Sequence, residues 1–104
     1  MPKGIMVVQS APVDADREKE YNDWYDNTHV PEITAVPGFL SARRYKVHGA
    51  AGEPAYLAIY ELDADDLDAP VKELRARRAA GLGTGSDALR TNPPPVVTIY
   101  ELLD

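Results

Sequence analysis

The sequence predicts an α+β domain of order βαββαβ, a four-stranded antiparallel sheet with two helices on one face. Three observations predict it. Four short segments are rich in β-branched, aromatic and aliphatic residues. Two stretches between them set apolar residues at helical spacing, and Gly, Pro and Asn clusters separate the segments.

Lys3 to Ser10 is apolar at both odd and even positions (Ile5 and Val7 against Met6 and Val8), as in a central strand covered on both faces. Ala11-Pro12-Val13-Asp14 ends it. Asp14 or Asp16 can cap a helix that runs through Glu18, Tyr21 and Trp24 towards His29, and Pro31 is expected to bound that helix. Ala35-Val36-Pro37-Gly38 reads as a turn into a strand from Phe39 that ends near His48. Gly49, Gly52 and Pro54 mark a connection to a third strand, Ala55-Tyr56-Leu57-Ala58-Ile59-Tyr60-Glu61. A second helix is expected over residues 66–80, with Leu67, Val71 and Leu74 on one face and Pro70 in the first turn, where its missing N–H costs little. Gly81, Gly83 and Gly85 end it, and Val96 to Leu102 form the fourth strand. This order is the split βαβ arrangement of ferredoxin-like domains.

The 104 residues suffice for one domain over residues 1–104, and a hydrophobic content of 44% supports a core without staples. The chain has no cysteine, so disulfides, thiolate metal sites and cysteine nucleophiles are excluded. The apolar start is too short for a signal or a membrane span, and a cytoplasmic setting without membrane partners is expected. A formal net charge of −6 argues against nucleic acid, which is held by Lys and Arg that displace counterions. The one basic cluster, Arg75, Arg77 and Arg78, reads as a solvated helix face. With both helices on one face of the sheet, the other face carries apolar side chains that need a partner, and an isologous homodimer is expected. The segment from Asn92 to Tyr100 is available as an arm to reach across.

The chemistry concentrates between Glu20 and Glu32. Tyr21, Tyr25 and His29 fall four residues apart and share a helix face, with Trp24 and Thr28 flanking them. His29 is expected at the helix C-terminus, where the dipole favours the imidazolium and a titrating imidazole can serve as acid or base. The plain alternatives are core packing for Tyr21 and Trp24 and a C-terminal cap for His29. His48, beside Gly49, reads as an exposed loop residue.

Tyr21, Trp24-Tyr25, His29 and Pro31, followed by Pro37-Gly38-Phe39 and Arg43-Arg44-Tyr45, resemble the pattern of the EthD-like family within the dimeric α+β barrel superfamily. The resemblance covers most of the chain and is strongest in the first half. It implies a ferredoxin-like homodimer, a dimeric α+β barrel, with a cavity between helices and sheet towards which the histidine is directed. That superfamily includes cofactor-independent monooxygenases, polyketide cyclases, lactone isomerases and haem-binding barrels, among which the fold does not select.

The expected site therefore has His29 and Tyr25 as the catalytic pair, with Tyr21, Trp24 and Thr28 as binding residues. Arg43 or Arg44, of which one faces inward on a strand, orients an anionic substrate or an enolate. No cofactor is expected. A metal set of Asp26, His29 and Glu32 is drawn against by Pro31, and haem would need an apolar wall that only a dimer supplies. Gly81-Leu82-Gly83-Thr84-Gly85-Ser86 lacks the lysine and the strand-to-helix setting of a phosphate loop and reads as a helix stop or a pocket rim; Ser10, Ser41 and Ser86 lie in no nucleophile elbow. Two functions follow: a small cofactor-independent enzyme that moves a proton on an aromatic or oxygenated small molecule (cyclase, isomerase or monooxygenase type), or a non-catalytic small-molecule-binding or interaction protein of the same fold.

Overall fold

The computed structural model describes residues 3–49 and 56–103, so Gly52, Pro54 and Ala55 lie outside the described residues. Strand β1 is Lys3–Ser10, β2 is Phe39–Lys46, β3 is Tyr56–Asp63 and β4 is Val96–Glu101. They form one antiparallel sheet in the order β2-β3-β1-β4, with Met6 opposite both Tyr60 and Ile99. This is the ferredoxin-like arrangement expected from the sequence.

Alternation sorts the strand residues. Met6, Val8, Ala58, Tyr60 and Leu62 are buried on the helix face, where Tyr21, Tyr25 and Ile33 of the first helical layer and Val71 and Leu74 of the second meet them. On the opposite face Ile5, Val7, Leu57 and Ile59 are half-buried, and Tyr45, Val96 and Tyr100 are exposed. Strand β1 is central, as expected, but this chain covers only one of its faces.

The first helical layer departs from expectation. It runs from residue 15 to residue 34 in four joined pieces: a 3-10 turn at Ala15–Arg17, α1 at Glu18–Trp24, a π-helical turn at Tyr25–His29 and α2 at Val30–Thr34. Asp14 caps its start, accepting the Arg17 N–H at 3.1 Å. Pro31 does not bound the helix. In the π-turn the Val30 N–H reaches back five residues to the Tyr25 carbonyl, so the wider turn takes up the proline, which has no N–H to donate and would crowd a carbonyl in regular α geometry.

The second helix, α3, is Asp68–Ala79, with Pro70, Val71 and Leu74 buried. Gly38 lets it approach: a Cβ there would stand 2.5 Å from the Pro70 ring, and its φ of 97° lies in the left-handed region. Gly81, at φ 78°, ends α3 and turns the chain back over the helices. The second half of the expected arm, from Val96 on, does not reach out; it pairs with β1 as the edge strand. Among the described residues no helix is long and apolar enough to cross a membrane.

Candidate functional site

A cavity of about 540 Å³ lies between the helices and the sheet, within the range of small-molecule sites. Its floor is apolar, with Met6 and Val8 from β1, Ile33 from α2, and Val71 and Leu74 from α3. Trp24, Tyr25, His29 and Glu32 form one wall. Residues 82–86 form another, and Arg75, Arg77 and Arg78 stand on the α3 side.

The π-turn builds the wall. Trp24 and His29 are five residues apart, a spacing that an α-helix would splay and a π-turn brings onto one side. Their rings stack at 4.5 Å and 22°, and Tyr25 meets the imidazole edge-on at 4.8 Å and 82°. Beyond the ring, Nη2 of Arg78 lies 3.3 Å from Nε2 of His29. A guanidinium only donates, so Nε2 accepts and the imidazole carries its proton on Nδ1. Burial, with repulsion from Arg78 and then Arg44 added, pushes the His29 pKa down to about 4. The imidazolium expected from a helix C-terminus is therefore not favoured. His29 sits inside the helical run, five residues before its end at Thr34, where the dipole of the last turn does not help it.

Residues 82–86 are fastened to this wall. The Trp24 indole N–H donates to the Thr84 carbonyl at 3.0 Å, and the Thr84 N–H donates to the Glu32 carboxylate at 2.9 and 3.2 Å. The glycine-rich segment is thus both a helix stop and a rim. Glu32 and Asp26 are engaged on separate partners, Glu32 on Thr84 and Asp26 on Arg44 at 2.8 Å. Among the described residues no cluster of three metal-ligating side chains forms.

Of the side chains singled out in the sequence, His29, Tyr25 and Trp24 line the cavity; Tyr21, Thr28, Arg43 and Arg44 do not. Tyr21 is fully buried beneath it, its hydroxyl 2.6 Å from that of Ser10, which does line the cavity. Arg44 faces the helices, with its guanidinium 4.3 Å over the Tyr25 ring and donating to Asp26 and to the Asn22 side-chain carbonyl, both at 2.8 Å. It ties β2 to the first helical layer. Arg43 points to the opposite face of the sheet, opposite Ile59.

The arginines of α3 are the residues that sequence reasoning set aside. Arg75, Arg77 and Arg78 line the cavity instead of forming only a solvated face. Arg77 is held by Glu73 at 2.9 Å, a bond within the helix. The signal that could have found Arg78 is weak in sequence, because its contact with His29 spans 49 positions and depends on how α3 docks.

The fold is shared with solved structures. An ethyl tert-butyl ether D (EthD) family protein from Bacillus halodurans C-125 is similar over 99% of this chain and 100% of its own, with a TM-score of 0.64 and 14% identity. A protein named provisionally as a monooxygenase, from Shewanella loihica PV-4, is similar over 100% of this chain and 98% of its own, with a TM-score of 0.66 and 14% identity. The EthD-like resemblance carried by the Trp24 to Pro31 segment and its surroundings therefore holds at the level of the fold. No curated protein matches the sequence. The model of a family described as a domain of unknown function, DUF4286, matches residues 7–78, more than half of the chain, and the protein belongs to that family.

Proposed function

We propose that the cavity binds an aromatic or oxygenated small molecule and that His29 moves a proton on it without a cofactor. The observation that carries this reading is a neutral imidazole on the wall of an apolar cavity, clamped between an indole and a phenol ring, with one nitrogen directed at an exposed arginine. A neutral imidazole can accept a proton from a carbon or hydroxyl acid, and the surrounding apolar floor strengthens any charge that develops there. Tyr25, buried and with its hydroxyl pushed above its ordinary pKa chiefly by desolvation, stays protonated and holds the ring. The structural neighbours, one of the EthD family and one named as a monooxygenase, are compatible with a small-molecule enzyme of this fold.

The test is proton exchange. Aromatic 1,3-dicarbonyl compounds incubated with the protein in deuterium oxide should exchange their acidic C–H faster than in buffer, and His29→Gln should return the rate to that of buffer. Exchange that is equally fast in the variant would remove His29 from the chemistry.

A second reading, a carrier without turnover, is favoured by the Arg78 contact, which occupies the one ring nitrogen with a free lone pair. A base at about 4 is also weak at neutral pH. Under either reading a second copy of the chain covers the open sheet face, where Tyr45, Val96 and Tyr100 are exposed beside half-buried Ile5, Val7, Leu57 and Ile59.

A further inference from the structure

The chain is acidic overall, with a formal net charge of −6, yet among the described residues the fixed charges lining the cavity are Arg75, Arg77 and Arg78 against Glu32 alone. Two of these four are already engaged, Arg77 by Glu73 and Glu32 by the Thr84 N–H. Arg75 and Arg78 have no carboxylate within ion-pair distance among the described residues, and Arg78 spends its guanidinium on a neutral imidazole. The negative end of α3 rewards cations in its last turn, which accounts for Arg77 and Arg78 being basic. It does not direct Arg78 onto His29 or place Arg75 on the cavity.

We propose that Arg75 and Arg78 form an anion clamp at the mouth of the cavity, so that its ligand is an apolar or aromatic ring compound bearing a carboxylate. This rests on the reading of the cavity as a binding site and names the class of molecule it takes. The ring enters the apolar floor between Trp24 and Leu74, and the carboxylate stays at the exposed rim, where the arginines donate to it. A carboxylate is a stronger acceptor than an imidazole, so Arg78 leaves Nε2 for the ligand. The departure frees the lone pair of His29, and the carboxylate neutralises the guanidinium that had faced the ring. Binding thereby opens the Nε2 lone pair that the resting contact occupies, and the carrier-like contact becomes the resting half of the same device.

Calorimetry on the full chain with naphthoate and its neutral analogue naphthamide, at neutral pH and low salt, tests this. The chain has one tryptophan, so the single indole N–H resonance of Trp24 reports whether either compound enters the cavity. Naphthoate is expected to bind about tenfold tighter than naphthamide, with both moving the Trp24 signal, and the preference should vanish in an R75Q/R78Q double variant whose circular dichroism is unchanged. Equal binding of the two compounds, or a preference that survives in the double variant, overturns the clamp while leaving the cavity as a site. Failure of both compounds to bind at millimolar concentration, or binding that leaves Trp24 unmoved, overturns the cavity reading and the clamp with it.

Discussion

Replacing Arg78 with Gln removes a charge 3.3 Å from Nε2 of His29. Two unit charges at that separation repel by about 1.3 kcal/mol at the dielectric constant of water. Arg78 is exposed but His29 is half-buried, so the water limit is the lower bound of this repulsion. That energy is about one pH unit, so the His29 pKa should rise from about 4 in the wild type by at least that much in the variant and stay below its ordinary value, because the larger cause, burial, is untouched. The charged group left facing the ring is Arg44 of β2; Tyr25 stays neutral. The sign for stability follows. The folded-state pKa lies below the ordinary value of 6.5, so the unfolded chain takes up the proton first, and stability present above 6.5 is lost as pH falls towards 4. The loss is about 3 kcal/mol in the wild type and smaller in the variant. The assay is a pH titration of the imidazole resonances, assigned with His48→Gln because the chain has two histidines. A wild-type His29 that titrates at 6.5 or above, or an Arg78→Gln variant that leaves the titration unmoved, would refute the electrostatic argument.

Other perturbations read separate parts of the structure. Ser10→Ala strands the fully buried Tyr21 hydroxyl and should cost about 1–3 kcal/mol in urea denaturation; a loss below about 0.5 kcal/mol would mean that the 2.6 Å contact contributes nothing. Gly38→Ala drives a Cβ to 2.5 Å from Pro70 at a φ of 97° and should lower the melting temperature by an amount equivalent to about 1–3 kcal/mol, whereas unchanged melting would contradict the close approach of α3 to the turn. Tyr45→Glu combined with Tyr100→Glu puts charge on the open sheet face and should convert a dimer to a folded monomer in sedimentation; a wild type that is already monomeric at micromolar concentration would contradict the proposed pairing.

The strands and α3 were legible because alternation and helical spacing are local and each is repeated several times, as in Met6 and Val8 or Leu67, Val71 and Leu74. What escaped depends on single irregularities. A proline rule read at Pro31 predicts a helix end, but one π-turn upstream absorbs the proline and moves His29 from a terminus to the interior. The same turn pairs Trp24 with His29 at a spacing that α periodicity assigns to different faces. The Arg43 and Arg44 choice turns on one bulge: strict alternation from buried Phe39 would send Arg43 inward, and the register shift between Phe39 and Ser41 sends Arg44 there instead. Arg78 was beyond reach of any local rule, because its meeting with His29 is made by the docking of α3 on the first helical layer.

The most direct test of the account is a crystal structure of the full chain grown with millimolar naphthamide, whose neutral ring isolates the cavity from the clamp. Density for the ring is expected inside the cavity, against Trp24 and within contact of His29, with residues 82–86 along its edge. Density confined to the open sheet face, or a cavity closed by the Trp24, Tyr25 and Leu82 side chains at that concentration, would contradict it.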